Sequence, residues 1–134
     1  MTVHLDHFIV PCRDQRAAAR VLAELLGVPW AGSGIGPFSP VYINDGLTLD
    51  FIETDEAFPV HHYCFRVDQN EFDAILGRIR AAGLEFRSTV RGPVDFRVCT
   101  DFGGNSVYWN VPEGHQWEML TVSYARQPGI GDAG

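Results

Sequence analysis

Three side chains of this chain have the types and placement to hold a divalent metal: His7, His62 and Glu118. His7 lies in Val3–Val10, a run rich in β-formers, and His62 opens a second such run, His62–Val67. Strand alternation sets Asp6, Phe8 and Val10 on one face and Leu5, His7 and Ile9 on the other. In His62–Val67 the bulky Tyr63, Phe65 and Val67 are expected under a helix, which turns His62, Cys64 and Arg66 the opposite way. Glu118 shares a strand face with Leu120, Val122 and Tyr124. Two imidazoles and a carboxylate meeting in one concavity would form a facial triad with positions open for substrate. Such a donor set suits Fe, Mn, Ni, Co or Zn as the divalent ion, and spacing does not choose among them. A lone strand histidine is more often a hydrogen-bonded structural group. His4, His61 and His115 are read that way, His61 for its parity and His115 for its place beside a turn.

The elements that must carry these residues come in two copies. Asp14 is suited to cap a helix whose apolar face is Ala17, Val21, Leu22 and Leu25, with Gly27 as its stop. Asp68 and Glu71 form a capping box ahead of Phe72, Ile75, Leu76 and Ile79, with Gly83 ending that helix. From His7 to Gly27 is 20 positions and from His62 to Gly83 is 21. The back halves also repeat: Val41–Asn44 resembles Val107–Asn110, and Asp45–Ile52 parallels Glu113–Leu120, which sets Asp50 opposite Glu118. Each copy reads as βαβββ, giving an α+β fold. Val28–Ala31 and Leu84–Ser88 are the weaker second strands, and Asp95–Thr100 is a third strand in the second copy, followed by a turn over Asp101–Asn105. Two copies are too few for a solenoid. The expectation is one domain over 1–126, with module one at 1–56, module two at 59–126 and a flexible tail at 127–134.

Hydrophobic residues make up 46% and charged residues 20% of the 134, enough apolar side chain for one sizeable core. The net charge is −7 and the basic residues are scattered, which excludes phosphate-backbone recognition and hence nucleic acid. On charge alone an uncharged or cationic ligand is expected. The three cysteines show no metal or disulfide spacing and suit a reducing compartment. No apolar run is long enough for a membrane span and no leader pattern is seen, so a cytoplasmic protein is expected.

Leu5-Asp6-His7-Phe8-Ile9-Val10, His62-Tyr63-Cys64-Phe65-Arg66-Val67 and Pro112–Glu118 resemble the three signature segments of the vicinal oxygen chelate superfamily. Glyoxalase I, the extradiol dioxygenases, the fosfomycin-resistance thiol transferases and the bleomycin-resistance proteins belong to it. The resemblance runs from Val3 to about Arg126. It implies paired βαβββ modules forming a cupped mixed sheet around a central cavity, with the helices outside. It implies His7, His62 and Glu118 as metal ligands. Asp50 stands where glyoxalase-like members carry a fourth, glutamate ligand; one methylene shorter, it is either a ligand or a hydrogen-bond partner of one.

Ile9 replaces the threonine that fosfomycin-resistance enzymes carry two residues after the first histidine. Extradiol dioxygenases need an acid/base histidine or tyrosine, for which Tyr124 and Tyr108 are the candidates. Ile9, Cys64, Arg66, Tyr108 and Leu120 are read as substrate contacts, Arg66 either anchoring an anionic group or pairing with a surface acid. Glu118, Asp50 or Tyr124 would move the proton. The resemblance thus implies a glyoxalase- or dioxygenase-like metalloenzyme that chelates neighbouring oxygens of a small substrate and stabilises an enolate or oxyanion. The alternative is a metal-free protein that sequesters a small molecule, with Trp30, Trp109 and Trp117 as stacking walls. Relatives of this length imply a homodimer, with His7 from one chain and His62 and Glu118 from the other.

Overall fold

The computed structural model describes residues 2–126, so the tail expected over 127–134 lies outside the described residues. The chain forms two compact units. The first runs to His61 and also takes in Val111–His115; the second holds His62–Asn110 and the chain from Gln116.

In the first unit the order is β1 (His7–Cys12), α1 (Gln15–Leu26), β2 (Ser39–Asn44) and β3 (Leu47–Glu53). The Asp14 side chain accepts from the Ala17 N–H, and Gly27 ends α1 in the left-handed conformation (φ 74°), as the sequence predicts. Ala18, Leu22 and Leu25 are buried, giving α1 one apolar stripe toward β2 and β3. The sheet order is β1-β3-β2, with β1 and β3 parallel and β2 and β3 antiparallel. The first strand starts at His7 rather than Val3. Its partner β3 begins at Leu47 after the Asp45-Gly46 turn, and the first paired residues are His7 and Thr48. Pro11 is accommodated because β1 is an edge strand. The expected strand at Val28–Ala31 is reduced to a bridge between Trp30 and Val41.

The second unit repeats the plan with β4 (His62–Arg66), α2 (Gln69–Ala81), β5 (Phe86–Arg87), β6 (Ser106–Trp109) and β7 (Gln116–Leu120). The Asp68/Glu71 capping box is complete, and Phe72, Ile75, Leu76 and Ile79 are buried. Sheet order is β4-β7-β6-β5. In both units the first strand therefore lies parallel to the last, with the hairpin partner beyond it. Asp95–Thr100 does not form the predicted strand. It makes one bridge, Cys99 with Ser106, and β6 takes the third place. Asp95 is instead drawn back to Ser88, accepting from its amide at 3.0 Å and its hydroxyl at 2.5 Å.

The Val111–His115 loop between β6 and β7 packs within the first unit. The Glu113 carboxylate accepts from the Arg13 and Asp14 amides at 2.9 and 3.2 Å. His115 is fully buried. Its Nδ1 accepts from the His61 amide at 3.0 Å, which leaves Nε2 to donate to the Pro11 carbonyl at 2.9 Å. This is the structural role expected of His115, and burial pushes its pKa below the ordinary value.

Candidate functional site

Register determines which side chains meet. In the second unit His62 faces Gln116 and Cys64 faces Glu118 across β4 and β7, while Tyr108 faces Glu118 from β6. Residues in register share a face, so Cys64, Glu118 and Tyr108 form one row, continued by Arg87 opposite Tyr108. The first unit has the same offset: His7 faces Thr48 and, two residues on, Ile9 faces Asp50. His7 and His62, and Asp50 and Glu118, are thus equivalent in the ladders as well as in the sequence. The likeness of Val41–Asn44 to Val107–Asn110 does not carry over. Val41 faces Leu49, and the corresponding pair is Trp109 with Trp117. The second loop, Val111-Pro112-Glu113-Gly114, is two residues longer than Asp45-Gly46, which shifts the third strand by two.

Glu118 is fully buried. His62 Nε2 lies 3.0 Å from its Oε1. The Tyr124 hydroxyl lies 2.7 and 2.8 Å from its two oxygens, and Tyr108 reaches the Tyr124 hydroxyl at 3.4 Å. Burial, with Tyr108 and Glu118 alongside, drives the Tyr124 pKa far above the ordinary phenol value, and burial raises Tyr108 as well. Both phenols are therefore protonated donors at neutral pH. Burial next to Glu118 also pushes the Cys64 thiol up to about 12. A cavity of about 440 Å³ opens over this cluster, lined by His62, Cys64, Arg66, Leu120 and Tyr124 together with Ser123 and Ala125.

Tyr124 reaches Glu118 by a different route from the one expected. β7 ends at Leu120, and the irregular segment beyond it, not strand alternation, brings the ring back, while Val122 is exposed. Trp109 and Trp117 are fully buried on the opposite face, with Tyr63 and Phe65 stacked on Trp117. They are core residues and cannot serve as ligand walls.

In the first unit His7 and Asp50 line a second cavity, of about 380 Å³, with Asp6, Phe38, Pro40 and Tyr42. His7 Nδ1 is 2.7 Å from Asp6 Oδ2, and this contact raises the His7 pKa. Burial raises the Asp50 carboxyl, and His7 opposes that shift. Ile9 is exposed on the same face of the strand. Sequence parity missed Asp6 as a partner because neighbours on a strand point apart. Asp6 precedes the first strand residue and is free to fold back.

Among the described residues no group of three or more His, Cys, Asp or Glu converges closely enough to hold a metal. The donors occur as His62 beside Glu118, and as His7 bonded to Asp6 with Asp50 lining the same cavity. Imidazole nitrogen beside carboxylate oxygen is the donor chemistry of the borderline divalent ions, so each set fits part of such a site.

No family model matches the chain, and no curated protein matches it. Solved structures do. The chain is similar to "Oxidase ChaP-H2", at 39% identity and a TM-score of 0.87 over 93% of this chain and 98% of that one. It is similar to "Oxidase ChaP-H1" at 38% identity and 0.86, over 92% and 99%. The fosfomycin resistance protein FosX from Mesorhizobium loti shares the fold at 18% identity and 0.67, over 92% and 96%. With a βαββ unit followed by a βαβββ unit, histidines and acids at equivalent ladder positions and these relatives, the chain belongs to the vicinal oxygen chelate superfamily.

Proposed function

We propose that the protein is a metal-dependent oxidase-type enzyme acting on a small substrate through two neighbouring oxygens. The observation that carries this reading is the His62–Glu118–Tyr124 cluster under an open cavity, in a chain 39% identical to a protein named an oxidase. A divalent ion bound there would supply Lewis-acid stabilisation of negative charge on the substrate oxygens. His62 and Glu118 would hold it. His7, whose Nδ1 is directed to Asp6, would supply the third ligand through Nε2. His7 comes from the partner in a homodimer, so that each site draws on two chains.

Within the site the chain's own groups divide the work. Tyr124 keeps a proton on its hydroxyl, close to Glu118, for delivery to an oxyanion that develops on the substrate. Tyr108 orients that hydroxyl. Asp50, its carboxyl raised by burial, is the second proton carrier, beside His7. Cys64 and Leu120 form the wall of the cavity. No described helix is long and apolar enough to cross a membrane. Free Cys12, Cys64 and Cys99 fit a cytoplasmic setting.

Elemental analysis of the purified protein beside His62→Ala, with oxygen uptake on a panel of vicinal diols and catechols, tests the reading. We expect a divalent metal near one per chain in the wild type, its loss in the variant, and uptake in the wild type alone. Equal, negligible metal in both would favour a metal-free binding protein instead.

A further inference from the structure

We propose that Arg66 selects substrates that carry a carboxylate, which it holds at the far end of the His62 cavity. This deepens the function proposed above and rests on it. Arg66 lies four residues along β4 from His62 on the same face, which separates their Cα atoms by about 13 Å. Both side chains line one cavity, with Leu120, the register partner of Arg66, in its wall. A substrate whose oxygens meet His62 and Glu118 would therefore direct its other end at the guanidinium.

Among the described residues no carboxylate pairs with or hydrogen-bonds Arg66. Glu118, the acid nearest in the row, does not neutralise it, because its oxygens are engaged by Tyr124 and His62 in a fully buried position. Arginines on an ordinary surface also go unpaired. Arg66 differs in sharing a concavity with the reactive cluster, and among the described residues it is the arginine that lines that cavity.

Net charge and local charge point different ways here. The chain carries −7, but exposed charges more than about 10 Å apart are largely screened at ordinary ionic strength. At the cavity wall the permanent charge is the guanidinium, and its fork of donors matches a carboxylate with two parallel hydrogen bonds. The uncharged or cationic ligand expected from composition is thus revised to an anionic one.

The test is calorimetric binding of matched catechols, which present two neighbouring oxygens. One is 3-(3,4-dihydroxyphenyl)propanoic acid, one its methyl ester, and one the analogue with a phosphonate in place of the carboxylate. The wild type should bind the acid about tenfold more tightly than the ester. Arg66→Gln should bring that ratio to about one without weakening the ester, and Arg66→Lys should retain part of it. An unchanged ratio in Arg66→Gln would overturn the proposal. So would a wild type with no acid preference, including one that binds neither compound, or tighter binding of the phosphonate. Repeating the titration on protein stripped with a chelator separates the two ideas. An Arg66-dependent preference that survives without metal upholds this inference even if the metal-dependent function fails.

Discussion

The Tyr124 hydroxyl sits almost equidistant from the two carboxylate oxygens of Glu118, at 2.7 and 2.8 Å, and so serves as a shared donor to a fully buried acid. Removing it in Tyr124→Phe takes away the one donor that reaches both Glu118 oxygens and leaves His62, Cys64 and Tyr108 around the acid. We expect a loss of about 1–3 kcal/mol in urea denaturation of the metal-free protein, the cost typical of an undersatisfied buried acceptor. Oxygen uptake should fall at least tenfold if Tyr124 supplies the proton. A variant with unchanged stability and turnover would remove Tyr124 from the site.

The origin of the third ligand can be read from subunit mixing. His7→Ala and His62→Ala should each be inactive as homodimers. In a mixed dimer one of the two sites regains a full ligand set if His7 and His62 come from different chains. Refolding the variants together should then restore about a quarter of wild-type activity, given random pairing with two-fold symmetry. No recovery on mixing would assign all ligands to a single chain.

His115 makes stability pH-dependent with a defined sign. Its folded pKa lies below the ordinary 6.5 because the ring is buried neutral between the His61 amide and the Pro11 carbonyl. As pH falls through 6.5 the unfolded chain takes up a proton that the folded one still refuses, so stability drops. The drop continues until the lower folded pKa is reached, and above 6.5 the contribution is fully present. Melting temperatures of wild type and His115→Gln between pH 5 and 8 should converge toward the acid end. Parallel curves would show that His115 does not titrate on unfolding.

Gly104 is a steric stop. A Cβ there would meet Thr121 Oγ1 at 2.6 Å and Val122 side-chain atoms at 2.8 and 2.9 Å. The same contact region is tied by paired hydrogen bonds between Asn105 and Thr121, both 2.9 Å. Gly104→Ala should push the segment after β7 outward and carry Tyr124 away from Glu118. We expect a destabilisation of about 1–3 kcal/mol and lower activity. Wild-type behaviour would mean that this segment yields without consequence.

Much of this was legible in the sequence, and for local reasons. Asp14, Gly27, Asp68 and Glu71 specify both helices through caps that depend on residues three or four apart. The equivalence of His7 with His62, and of Asp50 with Glu118, survives because the first and last strands of each unit pair in the same register, although the chain between them differs in length. What failed depended on partners distant in the chain. The first strand could not begin at Val3 without something to pair with, and Asp95 was captured by Ser88 instead of joining a ladder. The third-strand alignment slipped because a two-residue loop difference cannot be seen from the likeness of the strands themselves. Strand parity pointed to Tyr124, but β7 ends at Leu120 and the ring approaches Glu118 from the irregular segment beyond it.

The Val111–His115 loop makes the two halves of this duplicated chain interdependent. The first half takes from it the acid that receives the Arg13 and Asp14 amides at the start of α1 and the imidazole that ties His61 to Pro11. A polypeptide ending between the modules would lack both. The loop ends at His115, directly before β7 and three residues ahead of Glu118, so the chain that closes the first half leads straight into the strand that carries the buried acid.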